Sequence, residues 1–355
     1  MKKILTNIYQ NFEITVLTPC YNCANTLDRL FKSIKRQNYP SNYVTIIVLN
    51  DGSTDNTSEK LHEWQKKFNE GKFIIFERNN EGIASGRNFL IKQVKTPWFI
   101  WCDSDDYFEK CAFTSFVNAS SNGTCDFVVG KTYRQIGKKK IKWWLSNFVY
   151  KNPISYSNNN IFFLWNKLFN TKFWNSLNFY WELGCDMLED TGLSATILAN
   201  SDKIGSTKKY TFTWVQNNNS FSSVKKTVTE AKYTQVIKNF ENSLIHFLKD
   251  RNFFQLSHKE KKILKNNIYD FLMQIFCCYV LFPSFYSFPK QEQQYLSYLF
   301  YSKKRYEINS ILNKYNLKFS CPPGWWRGIT FFALNLKKRF NVNKYKVYEY
   351  LKTEK

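Results

Sequence analysis

The sequence predicts an α/β fold built on an open, mostly parallel sheet. Short apolar runs alternate with amphipathic stretches through residues 1–110, and polar turns follow those runs. Strands alternating with helices of this length pair in parallel through right-handed crossovers. Such sheets bind ligands outside the carboxyl ends of their strands, so the turns after the first, second and fourth runs share one candidate edge.

The first apolar run, residues 14–17, closes on Thr18-Pro19. It is followed by Asn25-Thr26-Leu27-Asp28, which has the spacing of a capping box. Leu27, Leu30, Phe31 and Ile34 then recur at helical spacing and give one apolar stripe to lay on a sheet. Residues 44–49 predict a second buried strand and 50–55 a polar turn, after which Leu61, Trp64 and Phe68 mark a second amphipathic helix. A third strand over 73–76, a third helix over 82–94 and a fourth strand over 98–101 follow. Beyond residue 110 the alternation fades into a strand over 127–133, a basic loop over 138–142 and an irregular segment over 144–160. From about residue 227 the pattern is mostly helical with Lys-rich faces, broken at Pro322-Pro323-Gly324.

The composition, 43% apolar and 19% aromatic over 355 residues, excludes a disordered chain. Its net charge of +23 is uneven: 15 Lys and Arg face 13 Asp and Glu in residues 1–110, against 36 and 15 beyond. A basic surface attracts nucleic acid, anionic lipid or an acidic polymer. No nucleic-acid-binding motif or periodic aromatic pattern accompanies the charge, so nucleic acid is not the expected partner. Nine scattered cysteines and an N-terminus without an apolar leader point to a reducing, cytoplasmic compartment. Cys20 and Cys23 form a CxxC with no second pair at zinc spacing, and read as two small residues at a strand end. The most apolar stretch, 268–285, contains Asp270, Gln274 and Pro283, which fits a buried amphipathic helix and not a membrane span.

The fourth strand runs into Asp103-Ser104-Asp105-Asp106, where carboxylates two apart can converge on one hard cation bridging a diphosphate. An EF-hand is excluded, because Phe108 and Thr114 stand where that loop requires Gly and Glu. Three further segments accompany it: Pro19-Cys20-Tyr21-Asn22, Asn50-Asp51-Gly52-Ser53-Thr54-Asp55, and Asn79-Asn80-Glu81-Gly82 leading to Arg87-Asn88. In this order and spacing the sequence resembles the family 2 glycosyltransferases of GT-A fold, over about residues 12–110.

The resemblance implies a Rossmann-like GT-A domain over 1–225, with a nucleotide-binding half at 12–110 and an acceptor half at 111–225. A basic, mostly helical C-terminal region, 226–355, follows. It implies a nucleotide-sugar donor of the UDP type and a divalent cation, Mn2+ or Mg2+. By the same resemblance Asp51 meets the base, which Pro19 and Tyr21 wall, since an aromatic face stacks on a flat ring. Arg87 meets the diphosphate with a planar, permanently charged fork. Asp105 ligates the metal beside Asp103, which faces the ribose or sugar, and Asn22, Asn80, Gly82 and Ser104 complete the donor site.

Downstream, Trp165-Asn166-Lys167-Leu168-Phe169 and Leu188-Glu189-Asp190-Thr191 are similar to segments of relatives in polysaccharide and teichoic acid assembly. This implies Asp190 as general base, because a sugar hydroxyl attacks poorly until a carboxylate takes its proton, with Glu189 orienting the acceptor. The other reading of the pair is a cap on a helix over 191–199. Trp214 and Gln216 stand where relatives carry a tyrosine and a basic residue, which weakens any diphosphate contact from that loop.

The implied activity is inverting transfer to a glycan or lipid-linked acceptor in bacterial surface polysaccharide or capsule synthesis. Gly324-Trp325-Trp326-Arg327, Phe331-Phe332 and Lys337-Lys338-Arg339 suit an interfacial helix at the inner face of the cytoplasmic membrane, or equally a core-packed helix with a basic outer face. A non-catalytic glycan-binding relative would not require both acidic clusters. A nucleotidyltransferase lacks support, since no Gly-rich basic phosphate loop lies near the N-terminus.

Overall fold

The four apolar runs fold as β1 (Ile14–Cys20), β2 (Val44–Asp51), β3 (Phe73–Arg78) and β4 (Trp98–Trp101), paired in parallel in the order β3-β2-β1-β4. The computed structural model describes residues 11–68, 72–143, 163–181 and 203–216, with positions 183, 193, 197, 200 and 201. All lie in the first of two units, Met1–Ser287 and Phe288–Lys355.

Successive side chains of a strand point to opposite faces, and both faces here are apolar. Ile14, Val16, Ile46 and Val48 pack with Leu27, Leu30 and Phe31 of α1 (Ala24–Lys35) and with Leu61 and Trp64 of α2 (Thr57–Gln65). Leu17, Ile47 and Leu49 pack on the other side with Ala84 and Leu90 of α3 (Ile83–Ile91). The expected stripe on the first helix is therefore the face that meets the sheet.

Its expected cap is not formed. The helix begins at Ala24, so Asn25 already lies inside it, and Cys23 at the N-cap makes no side-chain cap bond. The orphan donors are satisfied from the next loop instead: Thr57 Oγ1 accepts from the Cys23 N–H at 2.9 Å and Asp55 Oδ2 from the Ala24 N–H at 3.2 Å.

The second half is mixed. After β5 (Tyr107–Phe108) and α4 (Ala112–Asn118) come β6 (Phe127–Ile136), β7 (Lys139–Lys142), β8 (Lys167–Asn170), α5 (Thr171–Ser176) and β9 (Ile204–Gln216). The sheet continues β4-β8-β6-β9-β5, with β8 antiparallel to both β4 and β6, and β9 parallel to β6. The basic loop expected over 138–142 is instead β7, an antiparallel partner of β6 in which Ile136 faces Lys139. Gly137 at φ 56° supplies the turn, and the Lys140 ammonium lies 4.4 Å from the Tyr133 ring centroid, so the strand is held by cation–aromatic contacts that an apolar-periodicity reading overlooks.

The Trp165–Phe169 segment forms the junction of this half. Asn166, buried at φ 59°, donates to the Gly130 carbonyl and to Thr132 Oγ1, both at 2.7 Å, and accepts from Thr211 Oγ1 at 2.6 Å. Trp165 stacks on Phe212 at 5.2 Å and on Trp143 at 5.7 Å, and Trp143 on Trp214 at 5.1 Å. Among the described residues no helix is long and apolar enough to cross a membrane. The segment 144–160, the stretch 268–285 and the helical region 226–355 lie outside the described residues.

At Gly130 the strands approach so closely that a Cβ would overlap the Thr211 hydroxyl. Gly130→Ala is expected to lower stability by about 3 kcal/mol through overpacking, read as a fall in the urea midpoint at unchanged slope.

Candidate active site

The loops after β1, β2, β3 and β4 meet at the carboxyl edge of the parallel strands. Asn22, at φ 48°, ties the first to the second: its N–H donates to Ser53 Oγ at 2.9 Å and its Oδ1 accepts the Thr54 N–H at 2.7 Å. The second then meets the third, because Gly52, at φ 72°, has no room for a Cβ, which would stand 2.6 Å from the Asn80 nitrogen. Pro19 is half-buried, and Tyr21, 53% exposed, leaves its ring open to stack on a ligand.

Asp51, at the end of β2, is buried and multiply held. Its Oδ1 accepts from Arg78 Nε at 2.6 Å, and its Oδ2 from the Gly82 N–H at 3.2 Å. Asn80 Oδ1 accepts the same N–H at 3.1 Å, so both expected site residues converge on the N-terminus of α3, whose N-cap Gly82 needs its φ of 89°. Arg78 was not singled out by the sequence, because a lone arginine at a strand end carries no motif. It bonds Glu81 Oε2 at 2.9 Å through Nη1, and its Nη2 is buried with no hydrogen-bond partner among the described residues.

One turn into α3, Arg87 is buried, with Nη2 3.6 Å from Asp103 Oδ1 and its guanidinium 6.0 Å from the Trp181 ring centroid. Neighbouring Asn88 fixes that tryptophan: its Nδ2 donates to the Trp181 carbonyl at 2.7 Å and its Oδ1 accepts the Trp181 N–H at 2.8 Å. Trp181, buried and outside any motif, was also missed.

The acidic turn is set by the Asp106 N–H donating to the Asp103 carbonyl at 3.1 Å. Its members diverge. Asp103 faces Arg87, while the Asp105 carbonyl accepts from Arg29 Nη2 of α1. Asp106 turns inward, is 1% exposed, and accepts the Val215 N–H at 2.8 Å, anchoring β9. Burial pushes the Asp106 carboxyl well above the usual carboxylate range, with Asp105 and Asp103 adding to the shift, and burial raises Asp105 as well. Ser104 lies in the same turn. Cys20, Cys23 and Cys102 are buried free thiols, which agrees with reading the CxxC as packing.

Among the described residues no cluster of three or more His, Cys, Asp or Glu surrounds a cation position. Asp103 and Asp105 are hard oxygen donors of the type a divalent cation takes, and its remaining ligands would come from a diphosphate. Both residues are only partly buried, whereas Asp106 lies in the core. Glu189 and Asp190 lie outside the described residues.

Open α/β sheets bind ligands at this loop edge, and comparison with known proteins specifies the kind of domain. Residues 15–182 match the family model of Glycosyl transferase family 2. The chain is a glycosyltransferase.

It is 26% identical over 268 residues to a processive diacylglycerol beta-glycosyltransferase of Mycoplasma genitalium, covering 69% of this chain and 76% of the relative. It is 30% identical over 184 residues to the Mycoplasma pneumoniae enzyme of the same name, covering 46% and 53%. The crystal structure of Staphylococcus aureus TarS 1–349 in complex with UDP-GlcNAc superposes with a TM-score of 0.57 at 17% identity, covering 74% of this chain and 81% of that one, a likeness of fold.

Asn88→Ala removes both bonds to the Trp181 backbone and is expected to cost about 1–3 kcal/mol, seen as a lowered melting temperature. Asn88→Asp, which sets a carboxylate oxygen against the Trp181 carbonyl, should be at least as destabilised.

Proposed function

We propose that this glycosyltransferase moves a sugar from a UDP-sugar to a hydroxyl of a glycan or lipid-linked acceptor, with inversion at the anomeric carbon, at the inner face of the cytoplasmic membrane. The observation that carries the donor side is the convergence of Asp51 with Arg78 and of Arg87 with Asp103 on one strand edge. The first pair sets a carboxylate acceptor toward a uracil-type edge, and the second a cation beside a carboxylate where a diphosphate would lie. Tyr21 and Pro19 wall the base, and Asn22, Asn80, Gly82 and Ser104 shape the loops around it.

In this reading the acceptor oxygen bonds to the anomeric carbon as the bond to the nucleoside diphosphate breaks, and Asp190 takes the hydroxyl proton while Glu189 orients the acceptor. Asp103 and Asp105 would hold Mn2+ or Mg2+, which when bound neutralises charge on the leaving diphosphate. Arg87 donates to the same phosphates. Trp214 and Gln216 at the end of β9 supply no cation, so the charge falls on Arg87 and the metal.

A diacylglycerol-type lipid is the favoured acceptor, because the match to the Mycoplasma genitalium enzyme runs over 268 residues, well past the family domain. The basic, aromatic segments at 324–339 would rest on the membrane that holds it. The test is transfer from a panel of radiolabelled UDP-sugars to diacylglycerol vesicles. Production of a β-linked glycolipid from an α-linked donor supports the proposal, and a retained configuration would overturn the role of Asp190.

Asp190→Asn is expected to lower kcat about 10²- to 10⁴-fold with donor binding intact, measured by turnover and by UDP titration. Chelation of divalent cations should abolish turnover and weaken UDP binding, and Mn2+ or Mg2+ should restore both; Asp105→Asn should resist that restoration.

A further inference from the structure

The hairpin of β6 and β7 has no part in the donor site, yet its surface is unlike the rest of the described fold. It carries Lys131, Arg134, Lys138, Lys139, Lys140 and Lys142, and residues 127–143 contain no Asp or Glu. Its tip, 136–140, is exposed throughout, and Ile136 keeps 45% of its surface in water where β-strand isoleucines such as Ile14, Ile46 and Ile100 keep almost none. Tyr133 stacks on Tyr210 of β9 at 4.1 Å, with the ammonium groups of Lys131 and Lys142 at 5.8 and 6.0 Å from the Tyr210 ring centroid. Lys208 and Lys209, both exposed, extend the charge along β9. Among the described residues Glu109 is the acidic side chain that pairs with this group, through Lys140.

We propose that the β6–β7 hairpin docks the domain on a bilayer rich in anionic phospholipid, with Ile136 entering the headgroup layer and the lysines meeting the phosphates. So many like charges on one sheet repel each other until a polyanion covers them, and a headgroup surface presents its charges in a plane, as the sheet does. The tip selects among polyanions. An exposed isoleucine gains nothing from a nucleic-acid backbone but gains burial in lipid, and tyrosine with lysine is the composition of membrane interfaces.

Beside its turn the hairpin also touches the acidic turn's strand. Tyr107, two residues past Asp105, donates its hydroxyl to Gln135 Oε1 at 2.7 Å, and the Lys140 ammonium lies 5.4 Å from the Tyr107 ring centroid. Docking here would hold the acidic turn close to where a lipid-linked hydroxyl emerges. The purpose of the contact rests on the lipid-acceptor reading; the contact itself does not.

The experiment sediments the full chain with phosphatidylglycerol/phosphatidylcholine vesicles and with phosphatidylcholine vesicles, without sugar nucleotide. Lys138→Glu/Lys139→Glu/Lys142→Glu is expected to weaken binding to the anionic vesicles about tenfold or more, and Ile136→Ser severalfold. The same charge change at Lys66, Lys92 and Lys95 should leave binding within about twofold. Melting temperatures establish that each variant folds, and Ile136→Ser with Lys138→Gln/Lys139→Gln carries the reading if the triple reversal does not.

Binding unchanged by the hairpin variants overturns the proposal, even if the chain still sediments. So does equal binding to neutral vesicles, or hairpin-dependent binding to an RNA or DNA oligonucleotide that displaces vesicles. Hairpin-dependent sedimentation without transfer to diacylglycerol sinks the acceptor reading alone, whereas transfer to a lipid acceptor without hairpin-dependent sedimentation sinks the docking alone.

Discussion

Asp51 joins three elements that the chain delivers separately. It ends β2, takes a proton donor from Arg78 at the end of β3, and takes another from Gly82 at the start of α3. The pair is nearly enclosed, with side-chain exposures of 18% for Arg78 and 8% for Asp51. Removing one partner of such a pair leaves a buried charge and costs about 3–5 kcal/mol, well above the value of a surface ion pair. The orientation of α3 hangs on this joint, and with it the aim of Arg87 toward Asp103 and of Asn88 toward Trp181. A residue that the family resemblance assigns to the base is thus also the anchor of α3.

The charges around the acidic turn come from both layers of helices. Arg29 rises from α1 on one face of the sheet, and Arg87 from α3 on the other. Three carboxylates within four residues would repel one another if all were ionised and near each other. The turn avoids this by sending Asp106 into the core, where burial favours its neutral form, and by leaving Asp103 and Asp105 at the edge with a cation from each layer. Helix packing and site electrostatics are one arrangement here.

What was legible in the sequence was what is local. Apolar runs and stripes specify β1 to β4 and the helices between them, since strand and helix periods show within a dozen residues. What was not legible depends on distant partners. The cap of α1 comes from Asp55 and Thr57, about thirty residues on, so the local Asn25 pattern misleads. Asp106 is explained only by Val215, and Arg78 only by Asp51. The strand β7 carries lysines where periodicity looks for apolar residues, and is held by pairing to β6 and by tyrosine rings. The Glu189-Asp190 pair and the C-terminal region were read by resemblance and composition, and the described residues leave them as proposals.

The same division bears on how such a domain changes its substrate. The first half is a run of crossovers whose contacts are mostly between neighbouring elements, so its loops converge whenever the strands pair. The other half is assembled from strands far apart in sequence, with β8 seated between β4 and β6 and Asn166 bonding to β6 and β9 at once. Its rigidity comes from that junction and from the stacked Trp143, Trp165, Trp214 and Phe212, not from the hairpin beyond it. Surface residues of β7 therefore bear little of the fold's stability. They are free to carry charge, and substitutions there need not disturb Asp51, Arg87 or the acidic turn.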